Sequence, residues 1–247
     1  MIIFWIFSFS LLGSLGAVLG AGLLLFCSPE TRQRLITVLI SYAVGTLLGA
    51  AFLAMVPAGL QRAPVLPFSA ALLFGIVLFF LLEKMVLWRH CHEAHCEVHS
   101  GQGILILIGD AFHNFLDGLA IAAAFLAAVP LGITTSLAVI AHEVPQELGD
   151  LAILLDSGYT RGRAFVFNLL ASLTTLLGAL TGYFLLETLS RLIPLVLGLS
   201  ASSFIYIAVA DLVPSLHRRI SFRETVLQTA MILAGIGTIG LLRLWHS

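Results

Sequence analysis

Two polar motifs interrupt apolar stretches of this chain, HNFLDGLAI at 113–121 and HEVPQELGD at 142–150. Together with Asp110 they contain five carboxylates. If these stretches cross a membrane, each charged group costs roughly 2.5–3.5 kcal/mol at mid-bilayer, on the order of 10 kcal/mol in total unless something is bound. Imidazole, amide and carboxylate groups suit a divalent metal ion. The candidate metal ligands are His113, Asn114, Asp117, His142, Glu143, Gln146 and Glu147, with Asp110 and Asp150 as accessory candidates.

Helical spacing gathers these residues onto shared faces, because residues three, four or seven apart are neighbours on a helix. The short AVPLG turn between the two motifs predicts antiparallel helices that place the His113 turn and the His142 turn at a similar depth. Neither face should contact lipid. The first helix carries a stripe of Asp110, His113 and Asp117; the second carries His142 with Gln146, beside Glu143, Glu147 and Asp150.

The composition is that of a membrane protein. Of the 247 residues, 60% are hydrophobic and 10% are charged, with a mean hydropathy of +1.07. Soluble domains carry about 25% charged residues, so the solvent of this chain must be lipid. A net charge of −1 and the lack of a basic tract give no support for a nucleic-acid partner.

The apolar runs are continuous, without the alternation of a β-barrel, and each is near the roughly 20 residues that a transmembrane helix needs. We therefore predict an all-α polytopic membrane protein with a single transmembrane domain over 1–247. The eight predicted spans lie at roughly 3–26, 35–58, 67–88, 103–127, 132–155, 164–186, 192–213 and 225–245, with a His/Cys-containing loop at 89–102.

Basic residues predict the orientation, since they favour the cytoplasmic side. With both termini outside the cytosol, nine Lys and Arg residues lie on inner loops and three lie outside. The 89–102 loop is then cytoplasmic. We expect a multi-pass protein of a bacterial cytoplasmic membrane, in contact with the lipid bilayer.

The donor types favour transport of zinc, and also suit Fe(II), Mn(II) or Cd(II). Neither stripe contains Cys or Met, which argues against Cu(I). An alternative is a proton-linked carrier or a channel for another divalent cation, in which the carboxylates relay protons. A membrane scaffold or receptor is a further alternative. A metalloprotease needs HExxH, but Gln146 stands in place of the second His, so we do not expect an enzyme. Zinc or another divalent metal is expected as the transported substrate, with no cofactor.

The 89–102 loop contains further metal-binding side chains. Its density of His and Cys is typical of weak metal capture, although a merely polar, disordered loop is the alternative. The candidates are His90, His92, His95 and His99.

The motifs HNFLDGLAIAAAF and HEVPQELGDLAILL resemble the fourth and fifth helices of the ZIP (Zrt-, Irt-like protein) family of divalent metal transporters. The segment FIYIAVADLVPSLH at 204–217 is similar to that family's seventh helix. The resemblance implies uptake of zinc and related ions into the cytosol. It also implies a bundle in which two inverted three-helix repeats enclose helices 4 and 5, an elevator-like movement, and a homodimer.

By the same resemblance, the transport site would contain His113, Asp117, His142, Glu143 and Gln146, and Asn114 would join a neighbouring site. The chain departs from the family pattern at four positions. Gln146 replaces the usual His of this branch, Ala50 and Ala54 stand where members often carry Asp and His, and Thr175 stands where some carry Glu.

Overall fold

The computed structural model describes residues 1–88, 99–217 and 221–245, of which 85–88 and 99–105 are described by their backbone alone. Within those ranges the chain is helical and contains no β-strand, which confirms the predicted all-α class. The first half comprises α1 (Ile2–Leu24), α2 (Pro29–Gly49), a π-helical turn (Ala50–Met55), α3 (Val56–Leu60), α4 (Val65–Trp88), α5 (His99–Ala127) and α6 (Val129–Asp156). The second half comprises α7 (Arg161–Ser172), α8 (Thr174–Thr188), a 3-10 turn (Ser190–Leu192), α9 (Ile193–Tyr206), a second π-helical turn (Ile207–Leu212), α10 (Val213–Leu216) and α11 (Phe222–Trp245).

Several helices extend beyond their apolar spans. α2 begins at Pro29 rather than at 35, because the hydroxyl of Ser28 accepts a hydrogen bond from the Thr31 amide at 3.3 Å. α7 likewise begins at Arg161 rather than at 164, capped by Thr160. α5 begins at His99, so residues 99–102 of the predicted loop are helical. Capping residues and polar first turns thus extend these helices beyond the ends that hydropathy alone predicts.

Seven helical stretches in the described ranges are long and apolar enough to cross a membrane, so the chain is a multi-pass membrane protein. The remaining predicted span corresponds to α6, which has 28 residues but is not among the seven. α6 carries Glu143, Glu147 and Asp150, which lower its hydropathy. The helix that departs from an ordinary membrane span is therefore the one that carries most of the candidate ligands.

An internal repeat surrounds α5 and α6. The π-helical turns Ala50–Met55 and Ile207–Leu212 are separated by the same number of residues as the helices Val65–Trp88 and Phe222–Trp245. Both π-helical turns are followed by Val-Pro. α2 packs along α11, and its counterpart α9 packs along α4, while α1 packs on α6 and α8 packs on α5. If each predicted span crosses the membrane, five crossings separate the starts of the two repeats. The repeats then run in opposite directions, as expected for inverted three-helix repeats.

A reciprocal pair of hydrogen bonds joins the two repeats. The Ser14 hydroxyl donates to the Ser172 carbonyl at 2.9 Å, and the Ser172 hydroxyl is paired with the Ser14 carbonyl at 3.3 Å. Both side chains are buried. This reciprocal pair joins α1 to α7, the first helices of the two repeats.

Glycines bring α5 and α8 into backbone contact. A Cβ atom at Gly118 would lie 2.0 Å from the Thr175 carbonyl oxygen, and one at Gly178 would lie 2.0 Å from the Phe115 carbonyl oxygen. Only glycine fits at these positions, as is common where helices approach closely in lipid. The contact fixes the face that α5 turns toward α6.

Candidate metal centre

Four side chains from α5 and α6 converge between the two helices. α5 contributes His113 and Asp117, and α6 contributes His142 and Glu143. One donor atom from each residue lies within 4.8 Å of the other three. The short connection makes this possible: α5 ends at Ala127 and α6 begins at Val129, with Pro130 accommodated in the first turn. α6 thus begins before the predicted 132 and returns directly alongside α5.

The spacing of the donor atoms is that of a tetrahedral metal site. His142 Nε2 lies 3.2 Å from His113 Nε2 and 3.1 Å from Asp117 Oδ2. Glu143 Oε1 lies 3.4 Å from His142 Nε2 and 3.5 Å from His113 Nε2. His113 Nε2 and Asp117 Oδ2 are 3.9 Å apart. A tetrahedron with metal–ligand bonds of 2.0–2.1 Å has edges of about 3.3 Å, so the four atoms can all reach one zinc ion after small adjustments.

The centre is buried, and its acceptors lack partners. The Asp117 and Glu143 side chains are 1% and 0% exposed, whereas His113 remains 15% exposed. Among the described residues, Asp117 Oδ2 and both carboxylate oxygens of Glu143 have no hydrogen-bond partner. Buried carboxylates without partners are costly. A cation or protons between the helices would compensate them.

His142 is held with one nitrogen toward the centre. Its Nδ1 atom lies 2.9 Å from the Ala138 carbonyl oxygen, an acceptor that favours a proton on Nδ1. Nε2, the atom nearest Asp117, is then free to act as a ligand. The Phe204 ring packs edge-on against the imidazole with ring centres 6.0 Å apart. α9 therefore closes one wall of the centre with an apolar side chain.

Two of the predicted ligands form hydrogen bonds with Asp110. The Asn114 amide donates to Asp110 Oδ1 at 2.9 Å, and the Gln146 amide donates to the same oxygen at 3.1 Å. Asn114 Oδ1 accepts a hydrogen bond from the Thr175 hydroxyl at 2.7 Å. We call Asp110, Asn114, Gln146 and Thr175 the amide network. It joins α5, α6 and α8 beside the four-ligand centre.

The remaining acidic candidates lie along α6 beyond the centre. Glu147 is 0% exposed and accepts a hydrogen bond from the Asn168 amide of α7, while its Oε1 atom has no partner among the described residues. Asp150 Oδ2 likewise has no partner there. Sequence analysis did not identify Asn168. The signal was an amide in an otherwise apolar stretch of the sixth span, but nothing in the sequence indicated which residue it contacts.

The loop candidates His90, His92 and His95 lie outside the described residues. His99 begins α5, but only its backbone is described.

Comparisons with known proteins agree with this architecture. The profile of a family described as "ZIP Zinc transporter" matches residues 88–243. Zinc transporter ZIP10 of Mus musculus is 38% identical over 152 residues, covering 54% of this chain and 18% of the relative. Zinc transporter ZIP6 of Homo sapiens is 38% identical over 149 residues, covering 58% and 20%. Zinc transporter foi of Drosophila melanogaster is 36% identical over 153 residues, covering 61% and 21%. The chain thus spans about a fifth of the length of these curated relatives.

Proposed function

The chain belongs to the ZIP zinc transporter family, and on that premise we propose that it carries zinc across a membrane through the four-ligand centre. Members of this family are transporters rather than enzymes. Zinc is then the substrate, held for a limited time between α5 and α6. Fe(II), Mn(II) and Cd(II) accept the same nitrogen and oxygen donors, so they are candidate competing substrates.

One observation carries the proposal: four donor atoms lie at tetrahedral spacing, and Asp117 Oδ2 and both carboxylate oxygens of Glu143 accept no hydrogen bond from the described residues. A structural hydrogen-bond cluster would satisfy those oxygens internally. Here Asp117 Oδ2 and Glu143 Oε1 face two imidazole nitrogens at 3.1–3.5 Å. A divalent cation satisfies all four groups together.

We further propose a direction for the path. Glu147 and Asp150 follow Glu143 along α6, and Asp110 precedes His113 on α5, so all three lie on the same side of the centre. The basic residues of the connecting loops predict that this side is cytoplasmic. Zinc would then leave the centre past the accessory carboxylates, Asn114 and Gln146 into the cytosol. Both termini outside the cytosol, a bacterial cytoplasmic membrane and a homodimer also remain predictions.

The test is zinc uptake into liposomes by the purified full chain. His142→Ala removes a central nitrogen ligand and should reduce uptake to the level of protein-free vesicles. His217→Ala is the matched control, because His217 is exposed at the end of the seventh span, away from the centre. Uptake that survives in correctly inserted His142→Ala protein would refute the four-ligand route.

The buried carboxylate oxygens without a hydrogen-bond partner among the described residues also favour a second candidate, a proton-linked carrier or channel for another divalent cation. Uptake with Zn, Fe(II), Mn and Cd in competition, with and without a pH gradient, separates the two. The zinc proposal expects zinc to displace the other ions. Zinc-insensitive flux driven by the proton gradient would support the second candidate.

A further inference from the structure

A cavity separate from the metal centre opens at one end of the bundle. It has a volume of about 510 Å³ and lies where α1 ends, α2 begins, α6 ends and α7 begins. These helix ends belong to the side that the basic residues predict as cytoplasmic. Neither the four-ligand centre nor the amide network contributes to its walls.

Two arginines line this otherwise apolar cavity. Arg32 is half-buried and Arg161 is exposed. Within the described residues, neither guanidinium has an acidic partner within 4.0 Å or a side-chain hydrogen bond. Two positive groups without counter-charges, turned toward one space, attract an anion and repel a metal ion.

The helix geometry adds to this positive character. Arg32 lies in the first turn of α2, and Arg161 is the first residue of α7. Both helices therefore direct their amino-terminal ends, the positive ends of their dipoles, toward the mouth of the cavity. The anion site is formed by two separate helix starts together with two side-chain charges.

The rest of the wall requires an apolar ligand. Leu23 and Phe26 are 68% and 88% exposed, and Leu151 forms part of the buried wall. A free phosphate ion would leave these surfaces without contacts, whereas a hydrocarbon chain covers them. Basic pockets between transmembrane helices on the cytoplasmic side are suited to anionic lipid headgroups.

We propose that this cavity binds an anionic glycerophospholipid. The phosphate lies between Arg32 and Arg161, and an acyl chain lies along the leucines of α1 and α6. There is room for that chain beside Gly22, since even a Cβ atom there would only reach ordinary contact distance, 3.6 Å, from the Phe165 ring. This inference is independent of the zinc proposal because its test measures lipid retention and not transport.

The experiment is native mass spectrometry of the full chain released from vesicles of equal parts phosphatidylglycerol and phosphatidylcholine. The native sequence should retain phosphatidylglycerol in preference. Arg32→Gln/Arg161→Gln should weaken retention about fivefold per arginine, because each basic group near an anionic lipid contributes about 1 kcal/mol. The matched control is Arg34→Gln/Arg163→Gln, which removes the same charge from the same two helix starts but from outside the cavity.

A second variant fills the cavity without changing its charge. Gly22→Leu places a side chain where the acyl chain lies, and it should also reduce retention, with both arginines in place. Equal losses in the two arginine pairs would attribute binding to general surface charge and overturn the proposal. Equal retention of both lipids by the native chain would overturn it too. So would full displacement by glycerol phosphate together with unchanged retention in Gly22→Leu, which would identify a soluble-anion site.

Discussion

Two polar clusters lie side by side between α5 and α6, and they differ in how many of their acceptor atoms receive a hydrogen bond. In the four-ligand centre, Asp117 Oδ2 and both carboxylate oxygens of Glu143 have no hydrogen-bond partner among the described residues. In the amide network, Asn114 and Gln146 donate to Asp110, and Thr175 donates to Asn114. The two clusters have similar burial and similar polarity. The difference is one of degree: in the amide network only Asp110 Oδ2 lacks a partner among the described residues, whereas three carboxylate oxygens lack one in the four-ligand centre.

The sharpest test of this contrast is Asp117→Asn. The amide keeps the shape of the side chain but removes the negative charge and one strong ligand, so zinc uptake should fall to background. Asp156→Asn, which changes an exposed carboxylate at the end of α6, should transport normally. Uptake measured in liposomes, with the inserted fraction checked by size-exclusion chromatography, decides the outcome. Equal activity of the two variants would remove the basis for treating the four-ligand centre as special.

The substitution Gln146→His replaces a member of the amide network with a residue that can bind zinc. The imidazole supplies a nitrogen donor and gives up the amide bond to Asp110. The zinc concentration for half-maximal uptake should fall by about tenfold, the lower end of the range for changes around a metal site. Maximal uptake should fall as well, because tighter binding slows release. Concentration series for zinc measure both quantities. Unchanged values would indicate that position 146 does not reach the ion.

Thr175→Val tests the amide network alone. The substitution removes the hydroxyl that donates to Asn114 at 2.7 Å and keeps the shape of the side chain. The free energy of unfolding should fall by about 1–3 kcal/mol, because a buried acceptor loses its partner. Zinc uptake at saturation should stay near the native level, in contrast to Asp117→Asn. Thermal unfolding and uptake of the same preparation provide the comparison. Uptake as low as that of Asp117→Asn would show that the hydrogen bond from Thr175 is needed for transport itself and not only for stability.

The smallest effect is expected from the loop. Replacing His90, His92 and His95 by Ala removes candidates for weak metal capture without touching α5 or α6. Apparent zinc affinity should change more than maximal uptake. Complete loss of uptake at normal expression would contradict a merely accessory role.

The pairing of the two motif helices could be predicted from the sequence, and their detailed rotation could not. Hydropathy and charge predicted the membrane class, and a short turn predicted that α5 and α6 are neighbours. Asn114 was assigned as a candidate ligand because it adjoins His113. Consecutive residues on a helix, however, point about 100° apart, so small rotations decide whether Asn114 faces an ion or Asp110.

Hydrogen bonds between residues on different helices also could not be predicted from the sequence. Asn168 and Glu147 are 21 residues apart and lie on different helices, so helical periodicity gives no relation between them. The π-helical turns at Ala50–Met55 and Ile207–Leu212 were missed because, apart from Asp211, their residues have the same apolar character as the helices on either side. The spacing of residues along the sequence predicts which of them share a helix face, whereas the packing of the bundle determines which helix faces are in contact.

Gly118 follows Asp117 directly, and its missing side chain lets α5 lie against the α8 backbone at Thr175. A single added methyl group there would push α5 and α8 apart, since the backbone carbonyl that it meets cannot move away as a flexible side chain would. This displacement would turn the Asp117 carboxylate away from the two imidazoles without replacing any of the four ligand residues. The arrangement of the four-ligand centre therefore depends on the absence of a side chain at Gly118.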